Sequence, residues 1–381
     1  MSAFRKRTDG ISNVPVKMKG IKSWIYGQNL ISTGSNDLNK ILNGGYILGS
    51  IGLLEEDILL NQKETLIKLS YAEATTFEQN VLIFSSKSRN SLHDFYSKSV
   101  SKIEIKAATA PQAVQPREQK GNLSQLQIAW QYKRYLAENK LVYNAPVESS
   151  YNNSYDLSKT EEVLLESSSS RVSLYSLEDI SSTVLLEHED KILINKDLTV
   201  FMNNILILIQ NFIQKCKSEN KVGRIFIENF MDYKWQYICS DIDLLYMFIN
   251  DIKLFIRNSS CFLLITTAFQ NQDNQLYKHN ISNILRHNTD YCMSLEAWKD
   301  NIPPSEFEKT IGLFRLSRVA SLMSFYTSLP TVYIYGVERN LRSIKISELH
   351  LPPADAVSSE DKKKFEQMNQ IGIGCSGAYQ F

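Results

Sequence analysis

The sequence predicts an α/β fold: a mostly parallel central sheet with helices on both faces, antiparallel C-terminal strands and a partly disordered insertion. Three patterns carry this expectation. Short, continuously apolar runs, as expected of strands covered on both faces, alternate with stripes of helical spacing. Beyond residue 288 the helices stop and strand follows strand. Between about 88 and 196, Ser, Asn, Gln and Glu dominate and apolar periodicity is poor, which sets that stretch apart. The expected organisation is a basic tail (1–23), one domain (24–353) carrying the partly flexible insertion (88–196), and a C-terminal arm (354–381).

In chain order, Ser35 or Asn36 can cap a short helix in which Leu38, Ile41 and Leu42 share a face, and Gly44–Gly45 stop it. The strand "SIGLL" (50–54) runs into the acids Glu55, Glu56 and Asp57 and then a turn. "KETLIKLSYAEATTF" (63–77) reads as a helix and "NVLIFSS" (80–86) as a strand. Inside the insertion only "LSQLQIAWQYKRYL" (123–136) reads as firmly helical. Regularity returns at 198–215, where Phe201, Ile205, Leu208 and Phe212 recur at helical spacing. Strand "RIFIENF" (224–230), a helix over 241–258 and strand "CFLLITTAF" (261–269) complete the alternation. "DYCMSLEAW", "TIGLFRLSR", "TVYIYGVERN" and "RSIKISELHL" then suggest an antiparallel extension at one sheet edge. Exposed apolar strands there risk edge pairing, so aggregation is expected when the chain is made without neighbours.

Composition excludes several classes. Net charge is +1, so no global field draws the chain to nucleic acid or membrane, although residues 1–22 carry six basic residues against Asp9 alone. Cys216, Cys239, Cys261, Cys292 and Cys375 form no CxxC pair and the five histidines do not gather, which argues against a structural zinc. The odd cysteine count and the lack of an apolar leader fit a reducing intracellular compartment. No apolar run reaches the ~18 residues of a membrane span. No GxSxG-type setting marks a covalent nucleophile.

The segment around the first strand carries the chemistry. "STGSNDLNKILNGGYILGSI" resembles the stretch before the P-loop in the RecA/RadA/KaiC family of ATPases, which makes the expected sheet RecA-like. A P-loop uses glycines to bring backbone N–H groups onto phosphate, a Lys for charge and a Ser/Thr for magnesium. Aligned without gaps, the loop glycines fall on Glu56 and Asn61, the Lys on Gln62 and the hydroxyl residue on Lys63. Shifting by one restores Lys63 but places Asp57, Gln62 and Glu64 at the other key positions. A carboxylate about 4 Å from a phosphate oxygen repels it by ~4 kcal/mol at an effective dielectric near 20. The reading is a degenerate nucleotide site built of Glu56, Asp57, Lys63 and, at the end of a central strand, Glu228. Glu228 is either the remnant of a magnesium- or water-orienting acid or an ordinary polar strand end.

Arg315 and Arg318 alternate with apolar residues on a late strand, and Arg286–His287 follow the helix "ISNIL". Arg315 and Arg318 read as reaching into a neighbouring subunit and Arg286–His287 as facing a central channel and nucleic acid, or all of them as ordinary solvated or salt-bridged residues. Trp130 and Tyr132 with Lys133 and Arg134 could stack on a single-stranded base or pack within an amphipathic helix.

Further stretches narrow the resemblance. "STGSNDLNKILNGG" with "LLEED", "IAWQY" (128–132), "YDLSK" (155–159), and "ELHLPPADAVS" with the ending "GIGCSG" match, in order and spacing, the Elongator complex protein 4 family. That resemblance implies a RecA-like subunit with no working P-loop and no catalytic residue or metal of its own. It implies a hetero-hexameric ring with Elongator proteins 5 and 6, which serves the Elongator catalytic core, binds tRNA and supports wobble-uridine modification in cytoplasm and nucleus. The chain alone is then expected to bind no cofactor, with ATP and magnesium left to ring interfaces. The rival expectation is an active RecA/KaiC-type ATPase with a divergent loop, in which Lys63 and Glu228 work.

Overall fold

Each apolar run becomes a strand because alternate side chains meet helices on opposite faces. The computed structural model describes residues 18–24, 27–103, 151, 153–163, 171–177, 179–180, 194–230, 235, 242–269, 276–299, 302–322, 330 and 333–349. The first half contains β1 (Ile21–Ser23), β2 (Asn29–Ile31), α1 (Asn36–Ile41), β3 (Tyr46–Ile47), β4 (Ile51–Asp57), α2 (Lys63–Thr76), β5 (Asn80–Ser85) and α3 (Arg89–Tyr96). Then come β6 (Lys98–Lys102), β7 (Tyr155–Glu162), β8 (Val172–Ser176), α4 (Ile194–Ser218), β9 (Gly223–Phe230) and α5 (Ile242–Arg257). The chain continues with β10 (Cys261–Phe269), α6 (Leu276–Asn288), β11 (Tyr291–Ala297), β12 (Thr310–Arg318), β13 (Ile334–Arg339) and β14 (Ile344–Glu348).

Nine strands form one sheet in the order β14–β13–β12–β11–β4–β10–β9–β5–β8. From β11 to β8 every neighbouring pair is parallel; β12, β13 and β14 add antiparallel strands. This is the expected fold class, with one refinement: β11 pairs parallel with β4, so the antiparallel part begins one strand later. Strand alternation divides the core in two. Leu54, Phe226, Phe262 and Leu264 pack with α1–α3, while Ile51, Leu53, Ile225, Ile227, Leu263 and Ile265 pack with α4–α6.

Local sequence explains the element ends. Ser35 is the cap of α1: its hydroxyl accepts the Leu38 N–H at 3.4 Å. Gly45, at φ +127°, lies so close to β2 that a Cβ would sit 2.1 Å from Ile31 O.

Several sequence expectations need correction. β4 does not stop at Leu54; it runs through Glu55, Glu56 and Asp57, whose backbones stay in register with Thr267–Phe269 of β10. Residues 88–103 and 153–177 contain α3, β6, β7 and β8, so both limbs of the expected insertion are built into the domain. Their strands are short and half exposed, and so lack apolar periodicity. The expected tail is shorter than 23 residues: β1 pairs with β2, and Lys19 contacts Glu78 at 2.6 Å. "TVYIYGV" is not an edge, because β14 covers β13. On the far side of β14, the Ile346 N–H donates to the Asp37 carboxylate of α1 at 3.3 Å. The helix at 123–136, with Trp130, Tyr132, Lys133 and Arg134, and the arm at 354–381 lie outside the described residues.

Candidate functional site

The acids at the end of β4 point to alternate faces, which separates residues that looked like one site in the sequence. Glu56 turns towards α2. Its carboxylate accepts the N–H of Gln62 and, at 2.7 Å, the N–H of Lys63, while Lys63 Nζ stands 3.9 Å away. Gln62 and Lys63 are the N-cap and first residue of α2, where backbone N–H groups lack helical partners and the helix dipole favours an anion. A phosphate-binding turn would present these donors to its ligand. Here a side chain only 2% exposed already holds them. Burial pushes the Glu56 carboxyl above its ordinary range, and the two N–H groups and Lys63 pull it partly back.

The turn is fixed from both ends. Leu60 N–H donates to Asp57 O at 3.1 Å, Leu59 N–H to Asp57 Oδ1 at 3.2 Å, and Asn61 takes a left-handed φ of +49°. Leu60 is buried, whereas Ile58 and Leu59 stand in solvent at 67% and 61% exposure. Bulky side chains occupy a bend whose glycine-rich counterpart would let backbone wrap a phosphate.

Glu228 lies on the α2 side of the sheet and is closed off as well. Its carboxylate, 2% exposed, accepts the Tyr96 hydroxyl of α3. Burial raises the Glu228 carboxyl above its ordinary range, and burial together with that carboxylate raises the Tyr96 hydroxyl. A carboxyl shifted towards its neutral form is a poor ligand for a hard cation. Lys87, a cation on this side, pairs with Glu64 at 2.8 Å.

On the other face, Glu55 and Asp57 line a cleft of about 530 Å³ together with Arg286, Glu296, Arg315 and Arg318. The three arginines singled out in the sequence converge here. Arg286 Nε is 2.7 Å from Glu55 Oε2, and Ser282 Oγ donates to Glu55 Oε1 at 2.7 Å. Arg315 grips Glu296 in a two-pronged contact, with Nη2 and Nε each at 2.9 Å. Arg318 Nη1 donates to the carbonyls of Arg286, His287 and Thr289 at 2.9, 3.1 and 3.1 Å, closing the C-terminal end of α6. Burial pushes the Cys292 thiol in the cleft wall up to about 11. Three guanidinium groups facing three carboxylates make a nearly neutral lining, unlike the positive groove that holds a phosphate backbone.

The structure thus groups Glu56 with Lys63, puts Glu228 on their face of the sheet, and moves Asp57 to the arginine cleft. Glu55, Ser282, Glu296 and Tyr96 were not recognised as site residues. For Glu55 a signal existed: in an acidic triplet that continues a strand, the first and third residues share a face. The partners on α6 and α3 carried no such sign.

The family profile described as PAXNEB protein matches residues 14–373. The chain belongs to the PAXNEB family. Among its relatives, Elongator complex protein 4 of Dictyostelium discoideum is 24% identical over 383 residues, covering 92% of this PAXNEB chain and 81% of the relative. The Homo sapiens Elongator complex protein 4 is 24% identical over 371 residues, covering 92% and 84%. A KaiC-like protein from Pyrococcus horikoshii aligns with 83% of this PAXNEB chain and 98% of its own length, at 10% identity and a TM-score of 0.40.

Proposed function

We propose that this chain is a non-catalytic, RecA-like subunit of Elongator. In this reading it joins Elongator proteins 5 and 6 in a hetero-hexameric ring that binds tRNA and supports wobble-uridine modification by the catalytic core. Kinship with Elongator complex protein 4 supports membership of the complex. The single observation behind the non-catalytic reading is Glu56, a carboxylate of the chain itself on the donors a nucleotide phosphate would need. ATP and magnesium, in this reading, belong to interfaces of the assembled ring. The near-neutral cleft favours contact with a neighbouring subunit over direct contact of Arg286, Arg315 and Arg318 with tRNA phosphates.

Two measurements test this. Titrating the purified full-length chain with ATP and magnesium should give no binding heat up to millimolar nucleotide. Tight binding that Lys63→Ala abolishes would instead establish the divergent ATPase. Native mass measurement of the tagged chain with its co-purifying partners should find two copies each of three chains; a stable monomer would refute the ring.

A further inference from the structure

We propose that Cys216 and Cys261 form a redox-active dithiol that closes to a disulfide when hydrogen peroxide is the oxidant. The two residues are 45 positions apart, yet their sulfurs meet above one glycine. A Cβ on Gly223 would lie 2.6 Å from Cys261 Sγ and 2.8 Å from Cys216 Sγ, so a single point touches both sulfurs. Backbone pairing fixes this meeting. Cys261 opens β10 directly opposite Gly223 of β9, and Cys216 lies in the last turn of α4, packed over the start of that strand pair. Both thiols are free and fully buried.

The pair is chemically unequal. Asn80 Nδ2 donates to Cys216 Sγ at 3.7 Å, and the Cys261 thiol hydrogen-bonds to Cys216. Both contacts favour the Cys216 thiolate and lower its pKa, while hydrogen bonding to Cys216 and burial raise that of Cys261. This makes Cys216 the attacking sulfur and Cys261 the resolving one. The Cys216 thiolate attacks one oxygen of peroxide, the O–O bond breaks, and hydroxide leaves, giving a sulfenic acid at Cys216. The Cys261 sulfur then attacks that sulfur and the Cys261 proton leaves with the expelled hydroxyl as water, while the first hydroxide takes up the proton that Cys216 gave up in forming its thiolate. Two thiols are oxidised and one peroxide is reduced to two waters. A small oxidant suits the burial: Lys217, Ser218, Glu219 and Asn220, immediately after Cys216, are exposed, so a local opening of that helix end would suffice to admit peroxide to the sulfur. Cys292, buried in the arginine cleft, has no thiol partner among the described residues and serves as an internal reference.

The test is to treat the full chain, in its purified complex, with hydrogen peroxide, block free thiols in denaturant and digest without reductant. A dithiothreitol-reversible peptide pair joining Cys216 to Cys261, lighter by two hydrogens than the separate peptides, is the expected result, with Cys292 recovered alkylated. Recovery of Cys216 and Cys261 as free thiols overturns the proposal. So does conversion of Cys216 to its sulfinic acid with no linked pair. A Cys261→Ser chain, lacking the resolving sulfur, should carry Cys216 on to sulfinic acid under the same peroxide.

Discussion

The two faces of β4 at its C-terminal end make opposite uses of the same chemistry. Towards α2, Glu56 is buried and its carboxylate is consumed by backbone donors of its own chain. Towards α6, Glu55 and Asp57 border an open cleft in which Arg315 keeps 44% of its side chain exposed. In a nucleotide-binding protein the first face would receive the ligand. Here it is sealed, and the face that still meets solvent with convergent charges is the other one. One strand end can therefore serve as a sealed structural joint on one face of the sheet and border an open, charged cleft on the other.

Substitutions on each face sharpen this contrast. The largest effect is expected for Glu56→Ala, which leaves the half-buried backbone donors of Gln62 and Lys63 without their carboxylate and should lower unfolding free energy by about 2 kcal/mol. Urea denaturation measures it, and a loss below about 0.5 kcal/mol would mean that water replaces the carboxylate at no cost. Next comes Glu55→Gln, which weakens the contact with Arg286. Because that guanidinium is about one-third exposed, a loss of about 1–2 kcal/mol is expected.

Glu228→Gln sharpens the contrast through pH. Burial raises the folded-state carboxyl above its ordinary value of 4.5. Its contribution to stability is therefore complete below pH 4.5 and is lost as pH rises through the raised value. Urea midpoints of the natural chain and the variant, compared from pH 4.5 upward through the raised value, should show a flatter profile for the neutral amide and no loss of stability at neutral pH. A variant much less stable at neutral pH would show that the ionised carboxylate is well accommodated beside Tyr96. The smallest change in stability, within about 0.5 kcal/mol, belongs to Arg315→Ala on the open face. Its effect should instead appear in assembly, as weaker recovery of partner chains in a pull-down. Unchanged recovery would remove Arg315 from the inter-subunit surface.

The core was legible because burial on both faces leaves an unmistakable mark: "RIFIENF" and "CFLLITTAF" could hardly be anything but interior strands, and they are β9 and β10. The end of β4 was harder to read. Asp and Glu are poor strand residues, so local preference ended the strand at Leu54, before Glu55, Glu56 and Asp57, and pairing with β10 and β11 holds them extended. β7 was missed for a related reason: "YDLSKTEE" has few apolar residues because most of that strand is exposed. The candidate site was half visible. Resemblance to the stretch before a P-loop drew attention to the turn after β4, and late basic residues drew attention to Arg286, Arg315 and Arg318. Their meeting in one cleft depends on α6 lying beside β12, a long-range arrangement that no local pattern encodes.

The Asp37 carboxylate on the Ile346 amide has a bearing on how companions attach. That rung of the outermost strand is already engaged, so a foreign segment cannot lengthen the ladder there without prising α1 away. At that rung a neighbour meets side chains and not a free amide, so shape and charge govern the fit there.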